Sequence, residues 1–347
     1  MFKTSKKSII FFLALVLSLS LIITGCGNQE KEEVHTNEKV EENVEKEEVS
    51  DSHYPVEIEN YNFKGEKITQ TFEQAPEKVI AVYQNSIETL LALGLEDHIV
   101  AASGLDHAVK DEYKEAFEKL NYLEEFAPDK ETVVMLEPDF ILSWYSLFSD
   151  KNLGEVDYWH EKGINTYISL NSGVVKEKTL ENEYNDILNL GKIFNVEDKA
   201  EEIVSEIQEE VEKVKNHVKD QENKKTILIV EKMGDRIRSY GINTLGGDMV
   251  TSLGGELLSQ EGAELSQEDI LSLNPDVIFS VYKDREDEDV STKSVEIFTN
   301  DPALKSLEAV KNQSVYSIPL GEMYSSGIRT IDGILTFAKG IYPELYN

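Results

Sequence analysis

Only four arginines, Arg236, Arg238, Arg285 and Arg329, stand in a chain that carries 67 acidic residues. Guanidinium is planar, always charged and suited to bidentate contact with carboxylate, catecholate or phosphate oxygens. Arg236, Arg238 and Arg329 therefore read as candidate donors to an anionic ligand. Aromatic residues supply the second kind of chemistry. Trp144 and Tyr145 follow one apolar run, Tyr83 ends another, and Tyr324 shortly precedes Arg329. Such rings stack on flat or conjugated ligands. The six histidines, His35, His53, His98, His107, His160 and His217, are scattered without HxxH or HExxH spacing, so no bare metal ion is expected to be held. His107 and His160 are the two that could approach a ligand. No G-x-S-x-G, GxxxxGK[ST] or G-x-G-x-x-G pattern occurs, and the reading is of a non-enzyme with no intrinsic cofactor.

The net charge of −33, from 34 basic and 67 acidic residues, excludes a nucleic-acid binder that works by neutralising phosphates. With 347 residues, 40% of them hydrophobic, the chain has material for about two domains. Lys3, Lys6 and Lys7 precede an apolar run over 9–23, and the only cysteine, Cys26, comes soon after it. That run would span about 22 Å, short of the roughly 30 Å of a bilayer core, so it reads as a secretory leader over 1–25 rather than a membrane span. Residues 27–54 hold ten acids and three lysines; such a stretch repels itself and has little to bury, which predicts an extended tether over 26–54.

Residues 55–347 must position the candidate side chains. Strand-like runs at 78–83, 99–102, 140–144 and 164–168 alternate with helical stretches, and the pattern restarts at 226–230, 276–281 and 314–318. Alternation of this kind predicts α/β lobes, each with a mostly parallel sheet. Ser86 is the expected cap of the first helix, and Gly246-Gly247 and Gly254-Gly255 are expected to flank a helix over 248–253. Between the halves, 196–219 has no Gly or Pro, and Ala200, Ile203, Val204, Ile207, Val211, Val214 and Val218 form one stripe. The resulting organisation is a lobe over 55–195, a linking helix over 196–222 and a second lobe over 223–347. Residues 130–143 and 267–280 also align: Glu131/Glu268, Leu136/Leu273, Pro138/Pro275, Asp139/Asp276, Ile141/Ile278 and Ser143/Ser280 are identical pairs. Two copies of a helix–Pro–Asp–strand unit fit two related lobes.

With these motifs in order over roughly 70–347, the chain resembles the substrate-binding lipoproteins of ABC importers for iron complexes and cobalamin. The supporting segments are the opening 76–94, the two Leu-x-Pro-Asp strands, the middle helix, residues 309–319 and the ending 328–344. Ile23-Thr24-Gly25-Cys26 is similar to a lipobox, which implies a lipid anchor on Cys26 at an extracytoplasmic, Gram-positive-type surface. The resemblance implies two Rossmann-like lobes joined by one long helix, with the ligand cleft between them. It implies a monomer that delivers a ferric siderophore to a two-fold symmetric permease driven by a cytoplasmic ATPase. Family members dock through one glutamate per lobe, which the resemblance places on Glu131 and Glu268; the repeat makes these two equivalent, as a symmetric partner requires. Trp144 matches a ligand-stacking position of cobalamin binders, and Arg329 matches a position near the cleft. Cobalamin or haem on the same fold, and a ligand-free surface adhesin, are the alternative readings.

Overall fold

The computed structural model describes residues 53–221, 223–259, 262–283 and 289–346. The leader, Cys26, the tether up to residue 52, His35 and Arg285 lie outside the described residues. The described chain opens with a hairpin that the sequence pattern does not announce, β1 (Val56–Tyr61) and β2 (Lys67–Phe72), paired antiparallel. Its buried faces carry amides as well as apolar groups, and these reach the first lobe's sheet. That sheet is parallel, in the order β4-β3-β5-β6, from β3 (Val79–Val82), β4 (Ile99–Ser103), β5 (Phe140–Ser143) and β6 (Asn165–Ile168). Asn60 takes Ile168 N–H and donates to Ile168 C=O at 2.8 and 3.1 Å, and Gln70 does the same to Thr166 at 2.9 and 2.7 Å. Two side-chain amides thus do for the outer edge of β6 what a further strand would do. Helices α1 (Gln84–Ala92), α2 (Lys114–Phe117), α3 (Lys130–Leu136), α4 (Val156–His160) and α5 (Leu180–Phe194) connect and cover this sheet.

The linking helix α6 (Glu197–Val218) buries Ala200, Val204, Ile207, Val211 and Val214, with Ile203 and Val218 half-buried at the margins of the stripe. It packs against α5 on one side and against the last helix of the second lobe on the other. That lobe contains β7 (Thr226–Met233), β8 (Arg236–Ser239), α7 (Leu245–Ser252), β9 (Glu256–Leu257), β10 (Glu264–Leu265), α8 (Gln267–Leu273), β11 (Val277–Tyr282), α9 (Val290–Thr299), α10 (Glu308–Lys311), β12 (Val315–Pro319) and α11 (Thr330–Ile341). Strands β9, β7, β11 and β12 are parallel neighbours in the same order as the first lobe's four, with the antiparallel pair β8 and β10 added beside β7.

The aligned segments fold alike to the level of single atoms. Asp129 and Ser266 cap α3 and α8 by accepting Thr132 N–H at 2.8 Å and Asp269 N–H at 3.2 Å. Glu137 and Asn274 end them in the left-handed region, at φ 49° and 43°. The repeated aspartates then tie neighbouring strands together. Asp139 accepts Glu77 and Lys78 N–H at 2.8 and 2.9 Å, and Asp276 accepts Thr226 N–H and O–H at 2.9 and 2.8 Å. Two local expectations are corrected. Ser86 does not cap α1, because the helix already begins at Gln84 and Ser86 is buried inside it. Gly246 and Gly247 lie within α7 because Thr244 caps the helix ahead of them by accepting Gly247 N–H, and a side chain on Gly247 would collide with the Gly241 carbonyl.

Candidate functional site

The strands β3, β5 and β12 all deliver their C-terminal ends to one place between the lobes, where an open α/β sheet binds ligands. Tyr83 leaves β3 at φ 91°, an unusual conformation for a residue with a side chain. Its N–H bonds to Ser103 C=O at 2.9 Å and its carbonyl accepts Ile87 N–H at 3.1 Å, so sheet and helix hold the turn from both sides. The ring that results lies 3.6 Å from Trp144, centroid to centroid, and Tyr324 stands 5.7 Å from Trp144 on the side of the second lobe. Trp144 Nε1 donates to Asn85 Oδ1 at 2.7 Å, which fixes the indole plane with one face against Tyr83. The Tyr83 hydroxyl donates to Asp106. These rings border a cavity of about 10 Å³, in which Gln84 and Asp106 face Tyr324 and Ser326 across the seam. The lobes are therefore closed to about the space of one water molecule. A wider depression of about 420 Å³ lies between β1 and α5, but its Asn60 and Asn182 are already bonded to Ile168 and to Asn171.

A strap over residues 325–329 crosses the seam and is gripped by two carboxylates of the first lobe. Glu88, with 0% exposure on α1, accepts Arg329 Nε and Nη2 at 2.5 and 2.8 Å, while Arg329 Nη2 also donates to Ala108 C=O at 2.7 Å. Burial alone would discourage the guanidinium charge, but the bonds and charge of Glu88 outweigh it and raise the Arg329 pKa. Glu183 on α5, equally buried, accepts Gly327 N–H at 2.6 Å and Asn171 Nδ2–H at 2.7 Å. Burial pushes its carboxyl up to about 7, against the pull of those donors. Gly327 sits at φ 55° and passes so close to Thr89 and Asn85 that no side chain fits there. Lys110 adds an ion pair to Asp332 at 2.8 Å, and Asp248 accepts Leu180 N–H at 2.8 Å, both across the seam.

Of the residues expected at the ligand, the structure brings Tyr83, Trp144 and Tyr324 together at the cleft and leaves four elsewhere. Arg329 is paired with Glu88 across the seam and donates to Ala108 C=O. Arg236 and Arg238 are exposed because β8 alternates, so that Ile237 and Ser239 point inward and both arginines outward. Arg236 pairs with Glu264 at 2.7 Å, and Arg238 lies beside the Tyr240 hydroxyl, which donates to Glu231. Tyr145 turns away to stack on Phe63 at 5.0 Å and donate to its carbonyl at 2.9 Å. His107 does reach the cavity lining, whereas His160 bonds to Thr166 Oγ1 at 3.0 Å behind the sheet. His53, His98 and His217 bond to Lys192 C=O, Pro76 C=O and Glu344. Glu131 and Glu268 occupy the same position in the first turns of α3 and α8, exposed and without a bonded partner among the described residues.

Sequence reasoning missed Gln84, Asn85, Asp106, Ser326, Glu88 and Glu183. One signal was present for Glu88: a carboxylate between Ile87, Leu90 and Leu91, on the apolar side of α1, needs an internal cation or donor.

A profile described as periplasmic binding protein matches residues 79–320. The ABC transporter substrate-binding lipoprotein YvrC of Bacillus subtilis (strain 168) is 25% identical over 348 residues, covering 98% of this chain and 99% of that one. The petrobactin-binding protein YclQ of the same organism is 27% identical over 331 residues, covering 93% and 94%. Among solved structures, a periplasmic binding protein from Veillonella parvula DSM 2008 superposes with a TM-score of 0.77 at 35% identity, covering 84% of this chain and 93% of that one.

Proposed function

This chain belongs to the periplasmic binding protein family, and on that footing we propose that it is the extracytoplasmic substrate-binding component of an ABC importer for a metal chelate. The names of its relatives as a substrate-binding lipoprotein and a petrobactin-binding protein support a carrier over an enzyme, with a siderophore-type iron complex as cargo. The anchor on Cys26 and the permease contacts of Glu131 and Glu268 belong to the same proposal. No described helix is long and apolar enough to cross a membrane.

The observation that carries the ligand reading is the stack of Tyr83 on Trp144 with Tyr324 opposite, at a cleft whose other lining groups are amides, hydroxyls, Asp106 and His107. Arg329 and Lys110 are already bound to Glu88 and Asp332, and Lys178 at the rim has its Nζ over the Tyr324 ring, 5.9 Å from the centroid. Such a surface suits a chelate without net negative charge. A ferric trihydroxamate meets that condition, since three singly charged groups neutralise Fe³⁺, whereas ferric citrate and ferric catecholates remain anionic. The broad aromatic shelf favours one second reading, a corrinoid stacked on Trp144.

Fluorescence titration tests this directly. The two tryptophans differ in kind: Trp144 is half-buried at the cleft, while Trp159 is fully buried with its Nε1 bonded to Leu153 C=O. Saturable quenching by a neutral ferric trihydroxamate or by cyanocobalamin, removed by Trp144→Phe, is the expected result. Tight binding of ferric citrate or a ferric catecholate, with neither neutral chelate bound, would overturn the uncharged-ligand reading.

A further inference from the structure

Two buried donors face the cleft with nothing to bond. Gln84 is 4% exposed and Ser326 is 2% exposed, both line the cavity between the lobes, and Gln84 Nε2 and Ser326 Oγ have no hydrogen-bond partner among the described residues. Buried polar atoms without partners are rare, and each calls for an explanation. For Gln84 the orientation of the amide is not arbitrary. Its Oε1 accepts the N–H groups of both Asp106 and His107 at 3.1 Å, so the oxygen is fixed and the NH₂ must be the end left over. Ser326 is held from the other lobe, because the strap around it is bonded to Glu183 through Gly327 N–H and to Glu88 through Arg329. The neighbouring Asn85, by contrast, is fully used: its Oδ1 takes Trp144 and its Nδ2 donates to Ser169 Oγ.

We propose that Gln84 Nε2 and Ser326 Oγ are a matched pair of donors, one from each lobe, that bind neutral carbonyl oxygens of the ligand while its ring or apolar face lies on Trp144 and Tyr83. Neutral acceptors suit these donors, an amide N–H and a hydroxyl, beside Asp106, which accepts the Tyr83 hydroxyl. Amide oxygens around a corrinoid and the peptide amide oxygens of a neutral ferric hydroxamate such as ferrichrome share this chemistry. Because the donors come from different lobes, a ligand bonded to both would part the seam and then bridge it. The donor pair rests on the cleft being the ligand site.

The experiment is calorimetric titration of wild type, Gln84→Glu, Ser326→Ala and Trp144→Ala with ferrichrome and, separately, cyanocobalamin. Glu at 84 keeps an oxygen for the Asp106 and His107 amides but replaces the donor with an acceptor. The expected result is affinity lowered by about tenfold or more in Gln84→Glu and by about three- to tenfold in Ser326→Ala, with an unchanged melting temperature in Ser326→Ala. Which probe responds tells hydroxamate from corrinoid. If Trp144→Ala loses affinity while both donor variants bind as wild type, the cleft stands and the donor pair is overturned, the two atoms then sharing an ordered water only. If neither probe binds wild type, the reading of the cleft and this inference fall together. Should Gln84→Glu melt early, Ser326→Ala decides alone, because it removes one exchangeable oxygen without touching the strap's backbone bonds.

Discussion

Along the seam between the lobes, Glu88, Glu183 and Asp332 each hold a donor from the opposite lobe, whereas Glu131 and Glu268 stand exposed on α3 and α8 with no bonded partner among the described residues. All five are carboxylates in a chain of net charge −33. What separates them is burial. A carboxylate taken out of water must be met by internal donors, and here it recruits the scarce arginine and a backbone amide of the strap. An exposed one in the first turn of a helix stays hydrated, favoured slightly by the helix dipole and open to an outside partner. Charge type alone therefore says little about role; the depth at which the fold places it says most.

The sharpest way to break this contrast is to cut the strap. Arg329→Ala leaves Glu88 buried without its cation, and the expected loss is about 3–5 kcal/mol of unfolding free energy. Chemical denaturation measures it, and pairing Glu88→Gln with Arg329→Met should recover part of the loss. A change below about 1 kcal/mol accompanied by a collapse of ligand affinity would return Arg329 to the ligand and dissolve the distinction between seam and surface.

The next effect depends on pH. Unfolded, Glu183 titrates near its ordinary 4.5; folded, burial raises it to about 7. Between those values the native protein keeps a proton that the unfolded chain has released, so stability is full at the acid end and falls as pH rises toward 7. The size is at most about 3 kcal/mol. Glu322, likewise raised to about 7 by burial, acts in the same direction. Denaturant midpoints measured from pH 4.5 to 7.5 should decline for wild type and decline less for Glu183→Gln. Parallel slopes for the two proteins would show that the strap's carboxylate is not the titrating group.

The same contrast explains how much could be read beforehand. The lobes were legible because parallel strands buried on both faces are continuous apolar runs, and α6 because its stripe repeats every three to four residues. Trp144 and Tyr83 were legible as the residues that strands β5 and β3 deliver to the sheet's end. The fate of Arg329 was not, because it depends on Glu88, 241 residues away, and no local pattern records a partner at that distance. Nor was the hairpin β1–β2: its buried positions include Asn60 and Gln70, whose use is to bond to β6. Gln84 and Ser326 escaped for the same reason, since an amide or hydroxyl reveals its role only when its neighbours are known.

The smallest expected effect on stability comes from the two exposed glutamates. Replacing Glu131 and Glu268 by Ala should change unfolding free energy by no more than about 0.5 kcal/mol, since neither holds a partner among the described residues. Ligand affinity should also stay unchanged, because both lie on outer helices and neither lines the cavity. Yet if these two residues seat the chain on its permease, the double variant should abolish the stimulation of ATPase activity in reconstituted vesicles. The single variants need not be equal. Beside Glu131, α3 exposes Val134 at 46% and Met135 at 76%, while the repeat puts Leu271, half-buried, and Ser272 at the matching places on α8. On that reading an apolar contact would hold α3 to its partner after its charge is gone, and α8 would lack that support. Glu268→Ala is therefore expected to lower stimulation more than Glu131→Ala. Equal losses would mean that charge alone does the seating, and no loss in the double variant would assign the two glutamates to nothing beyond the first turns of their helices.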